Sequence, residues 1–293
     1  MLTINTTYPF SGCADTRQGG RVENQDTCAT SDTALGLLVL VCDGMGGGPS
    51  GKLASTLAAR AIITTVAACE GTEDRVEILR NAVLNANYSI FQAMETDPSL
   101  KGMGTTVTAL LINEWSAVVA HVGDSRVYQL RGGKKIFRTF DHSMVFELVR
   151  QGSLSEEQAR LSANSNIITR ALGHSTDLMV DVVELPYEKG DRFMLCTDGI
   201  WGMFPEKEIV KIAAKTASLP GAVESLVIKV DEEGMATGAH HDNLTVAMVE
   251  VNKKSLKKET MSKKSKIIFT VLAAVCVLSL AANAWMGYML FLK

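Results

Sequence analysis

The stretch "LVLVCDGMGGGPSGKLAS", Leu38 to Ser55, carries an apolar strand into a glycine cluster and then into a helical pattern. Gly46 and Gly51-Lys52 stand at the G-x-x-x-x-G-K spacing of a nucleotide-binding P-loop. A P-loop needs Ser or Thr after the lysine, because that hydroxyl ligates Mg²⁺. Here the residue is Leu53, and Ser55 is out of register. What remains is Asp43 at the carboxyl end of a buried strand, followed by Gly44. A carboxylate there is rigidly presented, and the glycine lets the backbone turn so that its carbonyl also faces an ion. Taken alone, Asp-Gly reads as a turn. The surrounding chain decides between turn and metal site.

Outward from this stretch, strands are expected at 34–41, 105–112, 116–122, 126–130, 192–197 and 244–251, all rich in apolar and β-branched residues. "RGGKK" (131–135) reads as a hairpin turn, since glycine supplies positive φ. Helical patterns occupy 51–69, 73–95, 143–151, 155–162, 205–217 and 220–233. Strands follow one another through short turns and helices come in pairs. That order predicts antiparallel sheets covered by helices, in the α+β class, and not the alternating βαβ sheet on which P-loops sit.

The chain has 293 residues, 46% hydrophobic and 21% charged, an ordinary globular composition. Its net charge of −3 hides an asymmetry. From Lys253 onward there are eight lysines and one acid, Glu259; removing these from totals of 29 and 32 leaves residues 1–252 with 21 bases and 31 acids. A body so acidic is poorly suited to nucleic acid. The six cysteines form no C-x-x-C pair and several sit in apolar runs, which predicts reduced core residues and neither a disulfide framework nor a zinc site. The N-terminus has no signal-peptide pattern, and "FSGC" (10–13) lacks the upstream apolar region of a lipidation box.

The tail differs. Residues 267–292 are 26 residues without a charge, preceded by seven lysines and followed by Lys293 alone. As a helix this run would be about 39 Å long, enough to cross a ~30 Å hydrocarbon core with tilt. The lysine bias places residues 1–266 in the cytoplasm, and Trp285 and Tyr288 fall towards the far interface. The expected organisation is a catalytic domain at 1–252, a lysine-rich juxtamembrane linker at 253–266 and a single transmembrane helix at 267–292. The expected location is the inner, cytoplasmic membrane.

Four aspartates stand where apolar strands end or begin: Asp43 after "VLVC", Asp124 after "VVAHVG", Asp198 after "FMLCT", and Asp242 before "NLTVAMV". Carboxylates gathered at one sheet edge repel unless cations sit between them. Hard oxygen ligands without His or Cys favour Mg²⁺ or Mn²⁺. The series "RVENQD" (21–26), "DGMGG" (43–47), "MGTT" (103–106), "VGDSR" (122–126), "DHS" (141–143), "ITRALG" (168–173), "CTDGIW" (196–201) and "DNLTV" (242–246) resembles, in order, the metal-dependent protein serine/threonine phosphatases of type 2C in their bacterial form. The resemblance covers nearly all of residues 10–250.

That resemblance implies a four-layer α-β-β-α sandwich. It implies two Mn²⁺ or Mg²⁺ ions, with a third, weaker ion in bacterial members. Asp43 would bridge two ions, with Gly44 adding its carbonyl to one of them. Asp198 and Asp242 would hold the other, and Asp124 with Asp198 the third. Asp26 would orient metal-bound water, and Arg21 would bind the substrate phosphate, its fork matching two oxygens. The reaction implied is direct hydrolysis of phosphoserine and phosphothreonine by a metal-bridging water. The implied partners are phosphoproteins, a membrane serine/threonine kinase, and lipid through the tail. Gln25 stands where many eukaryotic members carry a glutamate ligand. Met45 stands where they carry a histidine proposed as general acid, and "RLSANSN" (160–166) replaces a bacterial His-Pro pair within a flap at 144–166. Two other readings are a pseudophosphatase that only binds and a metal-dependent phosphoesterase for small molecules. His121 reads as a structural strand residue, His240-His241 as a loop, and Asp141-His142 as structural, shaping the approach to the flap. Thr105 and Thr106 divide evenly between orienting water and strand packing.

Overall fold

Apolar residues fill both faces of the strand that opens the deciding stretch, and this places it inside a sandwich. The computed structural model describes residues 1–46, 50–238 and 241–256. In chain order the strands are β1 (Leu2–Ile4), β2 (Phe10–Arg17), β3 (Thr27–Thr33), β4 (Gly36–Cys42), β5 (Gly44–Met45), β6 (Gly104–Thr105) and β7 (Val107–Ile112). They continue with β8 (Ala117–Val122), β9 (Arg126–Arg131), β10 (Lys134–Arg138), β11 (Asp181–Leu185), β12 (Arg192–Cys196) and β13 (Leu244–Val251). The helices are α1 (Ser50–Ala67), α2 (Arg75–Thr96), α3 (Met144–Arg150), α4 (Glu156–Arg160), α5 (Asp198–Trp201), α6 (Glu206–Lys215) and α7 (Leu219–Ala236).

Two antiparallel sheets result. One runs β1-β2-β13-β12-β9-β10 and the other β11-β8-β7-β4-β3, with β5 and β6 paired separately. Alternation along each strand divides the core into layers. From β4, Leu37, Val39 and Val41 meet Phe193, Leu195, Ala247 and Val249 between the sheets. Leu38, Leu40 and Cys42 face α1 and α2, packing on Ile62, Val66, Leu79 and Ile90. On the other side Met194, Val246 and Met248 pack under α6 and α7. The order helix–sheet–sheet–helix is the expected four-layer sandwich, and Met1–Ser255 forms one compact unit.

The expected strands and helices are present to within a few residues, with informative exceptions. The run expected as one strand at 105–112 is broken at Thr106, whose backbone N–H leaves the ladder to bond the Asp43 carbonyl at 2.9 Å. The turn expected over 131–135 is only Gly132-Gly133, both at positive φ, and Lys134–Arg138 resumes as a strand. The strands β2, β3 and β11 and the short α5 have no clear apolar period. Phe10 and Cys13 of "FSGC" are buried in the sandwich. Cys13, Cys28, Cys42, Cys69 and Cys196 are free thiols. No helix among the described residues is long and apolar enough to cross a membrane. The expected span at 267–292 and linker residues 257–266 lie outside the described residues.

Candidate metal centre

The chain delivers its aspartates to one end of the sandwich by separate routes. Asp43 follows β4, Asp124 lies in the turn between β8 and β9, Asp198 opens α5 just after β12, and Asp242 directly precedes β13 through Asn243. Asp26 ends the segment that leads into β3. Arg21, Gln25, Asp43, Gly44, Met45, Asp124, Asp198, Asp242 and Asn243 line one cavity of about 670 Å³, together with Asn166 of the flap and Ile168 just after it. All five expected metal-site residues therefore face the same space as Arg21, and Asp26 lies against them.

Asp43 and Asp124 are held by their backbones and Asp26 by its carboxylate. The Asp43 N–H donates to Thr106 Oγ1 at 3.0 Å, and the Thr105 hydroxyl donates to the Asp43 carbonyl at 2.8 Å. Both threonines thus position the Asp43 backbone. The Asp26 carboxylate accepts from Thr197 Oγ1 at 3.0 Å. The Asp124 carbonyl accepts from Trp201 Nε1 at 2.9 Å, and the guanidinium of Arg126 lies 3.6 Å from the centroid of the Trp201 ring. Arg126 is in turn gripped by both oxygens of Asp141 at 2.8 and 2.7 Å.

Gly44 is required for a different reason from the expected turn. Its φ is not positive; a Cβ there would lie 2.1 Å from the carbonyl oxygen of Gly51. The glycine permits α1 to approach the site backbone. Lys52, the residue of the P-loop-like spacing, donates to the Asp26 carbonyl at 2.5 Å and to Thr27 Oγ1 at 3.2 Å. It fastens α1 to β3 and leaves no free ammonium for a nucleotide phosphate.

The electrostatics call for cations. Burial, then the neighbouring carboxylates, pushes Asp43 and Asp124 well above the usual carboxylate range. Burial with Asp198 and Asp242 nearby takes Asp26 up to about 7. Burial and Asp242 take Asp198 up to about 6. Asp26 Oδ1 and Asp198 Oδ1 are buried without a hydrogen-bond partner. Oxygen-only donors, mutually repelled and partly orphaned, fit hard divalent ions such as Mn²⁺ or Mg²⁺. Arg21 supplies a positive charge: its guanidinium pairs with Asp242 at 2.7 Å, both side chains being about half exposed.

Sequence reasoning missed two groups. Asn243 accepts from the Gln25 N–H at 2.9 Å and donates to the carbonyls of Gln18 and Glu23 at 2.7 and 2.9 Å, pinning the segment that bears Arg21 and Asp26. Its place beside Asp242 in "DNLTV" was the available signal. Arg126 was the other, visible only as the end of "GDSR". His121 and His241 are both buried, and His241 Nε2 lies 2.9 Å from Asp231 on α7. His240 lies outside the described residues.

Comparison with known proteins follows the same line. Residues 16–234 match the family described as Protein phosphatase 2C. The serine/threonine phosphatase Stp of Listeria welshimeri is 35% identical over 237 residues, 80% of this chain and 89% of that protein. The protein phosphatase PhpP of Streptococcus pneumoniae is 33% identical, over 79% of this chain and 93% of its own length. The crystal structure of the Mycobacterium tuberculosis serine/threonine phosphatase PstP/Ppp superposes with a TM-score of 0.72 at 29% identity, covering 86% of this chain and all of that one. The catalytic domain of PstP in complex with two manganese ions gives 0.70 at 30% identity, covering 83% and 99%.

Proposed function

The chain belongs to the protein phosphatase 2C family, and we propose that it hydrolyses phosphoserine and phosphothreonine in proteins directly, at the aspartate centre, without a phosphoenzyme. It is a metal-dependent serine/threonine protein phosphatase. The observation that carries the residue assignment is the convergence of Asp26, Asp43, Asp124, Asp198 and Asp242 with orphaned, mutually repelled carboxyl oxygens. Asp43, the Gly44 carbonyl, Asp198 and Asp242 would hold two ions, and Asp124 with Asp198 would hold a third. When bound, such ions acidify water and offset charge on the phosphoryl oxygens. Asp26, held by Thr197, orients the attacking water. Arg21 exchanges its contact with Asp242 for the substrate phosphate. Met45, on the cavity wall, has no proton to give, so the leaving alkoxide takes its proton from water.

No residue of the aspartate set is missing, which counts against a pseudophosphatase. The same proposal includes membrane attachment through residues 267–292, supported by their lack of charge and the lysines before them. The catalytic domain then faces the cytoplasm, among membrane phosphoproteins and their kinase. The test of the chemistry is release of phosphate from phosphothreonine peptides. EDTA is expected to abolish it and Mn²⁺ to restore it. Asp43→Asn, Asp198→Asn and Asp242→Asn are each expected to lower kcat by orders of magnitude. Activity confined to nucleotides would overturn the substrate class, and near-normal turnover in a folded variant would remove that ligand.

A further inference from the structure

Behind Asp124 lies a second group of polar side chains that the chemistry does not use. His142 is buried and grips Gly123 twice. Its backbone N–H donates to the Gly123 carbonyl at 2.8 Å, and its ring Nδ1 accepts the Gly123 N–H at 3.1 Å. His142 Nε2 lies 3.1 Å from Asp181 Oδ2, and Arg170 Nη1 lies 3.2 Å from Asp181 Oδ1. The rings of His142 and His121 are 4.6 Å apart, and ligand atoms of His121, His142 and Asp181 all fall within 4.8 Å of one another.

That spacing suggests a metal, but the tautomer excludes His142 as a ligand. A backbone N–H can point only at a lone pair, so Nδ1 carries the lone pair and Nε2 the proton. Nε2 therefore donates to Asp181 and has nothing to offer an ion. The carboxylate of Asp181 bridges this N–H and the Arg170 guanidinium. It does for His142 what a carboxylate does for a metal-bound histidine: it fixes tautomer and ring orientation.

The consequence falls on the next residue. Gly123 sits at φ +107, where a Cβ would lie 2.6 Å from Thr106 Cγ2, and Thr106 is the residue that holds the Asp43 backbone. The turn that carries Asp124 is thus in a conformation that needs outside support, and His142 supplies it on both sides of Gly123. The residues flanking the flap join the same point: Thr169 N–H donates to the His142 carbonyl at 2.7 Å, and Ser143 bridges to Ile168, which lines the cavity.

We propose that His142, oriented by Asp181 and Arg170, is a positioning residue that presets Asp124 for its ion and ties that ion site to the flap. This rests on the reading of Asp124 as a ligand. The test is Mn²⁺ binding by the full chain, followed by calorimetry and by the resonance of free Mn²⁺, with Asp124→Asn as reference. Asp124→Asn is expected to lose the weakest ion only. His142→Ala is expected to weaken that same ion about 10- to 100-fold, the usual range for an outer partner of a ligand, leaving the tighter ions unchanged. His142→Asn, whose Oδ1 can replace Nδ1 as acceptor, is expected to recover most of the loss. Asp181→Ala, at an exposed position, is expected to shift it in the same direction and to fold in any case. Hydrogen exchange at the Gly123 amide should quicken in His142→Ala and not in His142→Asn. If Asp124→Asn loses the weak ion while His142→Ala and Asp181→Ala bind it normally, the inference fails and the ligand reading stands. If Asp124→Asn keeps the ion, both fail.

Discussion

At the scale of single residues the centre is a store of repulsion that cations relieve. Burial raises Asp26 to about 7 and Asp198 to about 6, helped by the charges of Asp198 and Asp242 at Asp26 and of Asp242 at Asp198. A folded-state value above the ordinary ~3.9 of aspartate means that the proton stabilises the fold. That contribution is full below the ordinary value and is lost as pH rises through about 6 to 7. His121 acts oppositely: burial drives it down to about 3, so acid below about 6.5 costs stability. The aspartate effect is therefore free of His121 only from about pH 6.5 to about 7, where Asp26 finishes titrating. The melting temperature of the EDTA-treated protein is expected to fall towards pH 7 and less beyond it, and Mn²⁺ to raise it most at the alkaline end, since ions bind only the native carboxylates. A flat profile would show that the carboxyls do not repel. Arg21 is a separate case. If it holds phosphate equally in the ground and transition states, Arg21→Ala raises KM for phosphopeptide more than it lowers kcat. Lysine restores it only in part, because a point charge lacks the fork. An unchanged KM excludes the role.

At the scale of elements, the site depends on how strand ends are anchored. The Arg126–Asp141 pair is buried on both sides, 2.7 Å at its closest, and Arg126 lies against Trp201 of α5. Removing one partner leaves a buried charge alone, which costs about 3–5 kcal/mol. Asp141→Ala is expected to lower the urea midpoint accordingly and to loosen Asp124, whose carbonyl Trp201 holds. An unaltered midpoint would show the pair to be replaceable. This anchoring also explains what the sequence disclosed. The strands β4, β7, β8, β12 and β13 are buried on both faces, so they read as apolar runs, and their terminal aspartates stood out. By contrast β3 and β11 lie at sheet edges, and neither has a fully buried residue. They carry polar sequences such as "TCATSDT", and β2 is short of apolar residues for the same reason of partial exposure. The break at Thr106 was illegible because its cause, the carbonyl of Asp43, is remote in sequence. Asp141 and His142 read as structural, yet each reaches the Asp124 turn through a partner that no local pattern announces: Arg126 for one and Gly123 for the other.

At the scale of the whole molecule, charge and hydropathy divide the sequence into two regions. Residues 1–252 carry 31 acids against 21 bases, whereas the following 41 residues carry eight lysines and one acid. An acidic body gains nothing from an anionic bilayer, so any attraction must come from the tail. Lysines near an anionic surface contribute about 1 kcal/mol each, screened by salt. An uncharged run of 26 residues, if it spans the bilayer as proposed, would be held by hydrophobic transfer, which salt does not weaken. The two mechanisms are thus separable by extraction. The full-length chain is expected to stay with membranes in high salt and in carbonate and to leave only in detergent. A chain ending at Ser255, the limit of the compact unit, is expected to remain in the supernatant with unchanged kcat and KM on phosphothreonine peptides, because every residue of the aspartate centre precedes that point. In cells the shortened chain is expected to lose preference for membrane phosphoproteins, since attachment raises their local concentration without adding a contact. Release of the full-length chain by salt alone would assign attachment to the lysines and refute the span. A fall in peptide turnover on truncation would show that the tail does more than anchor.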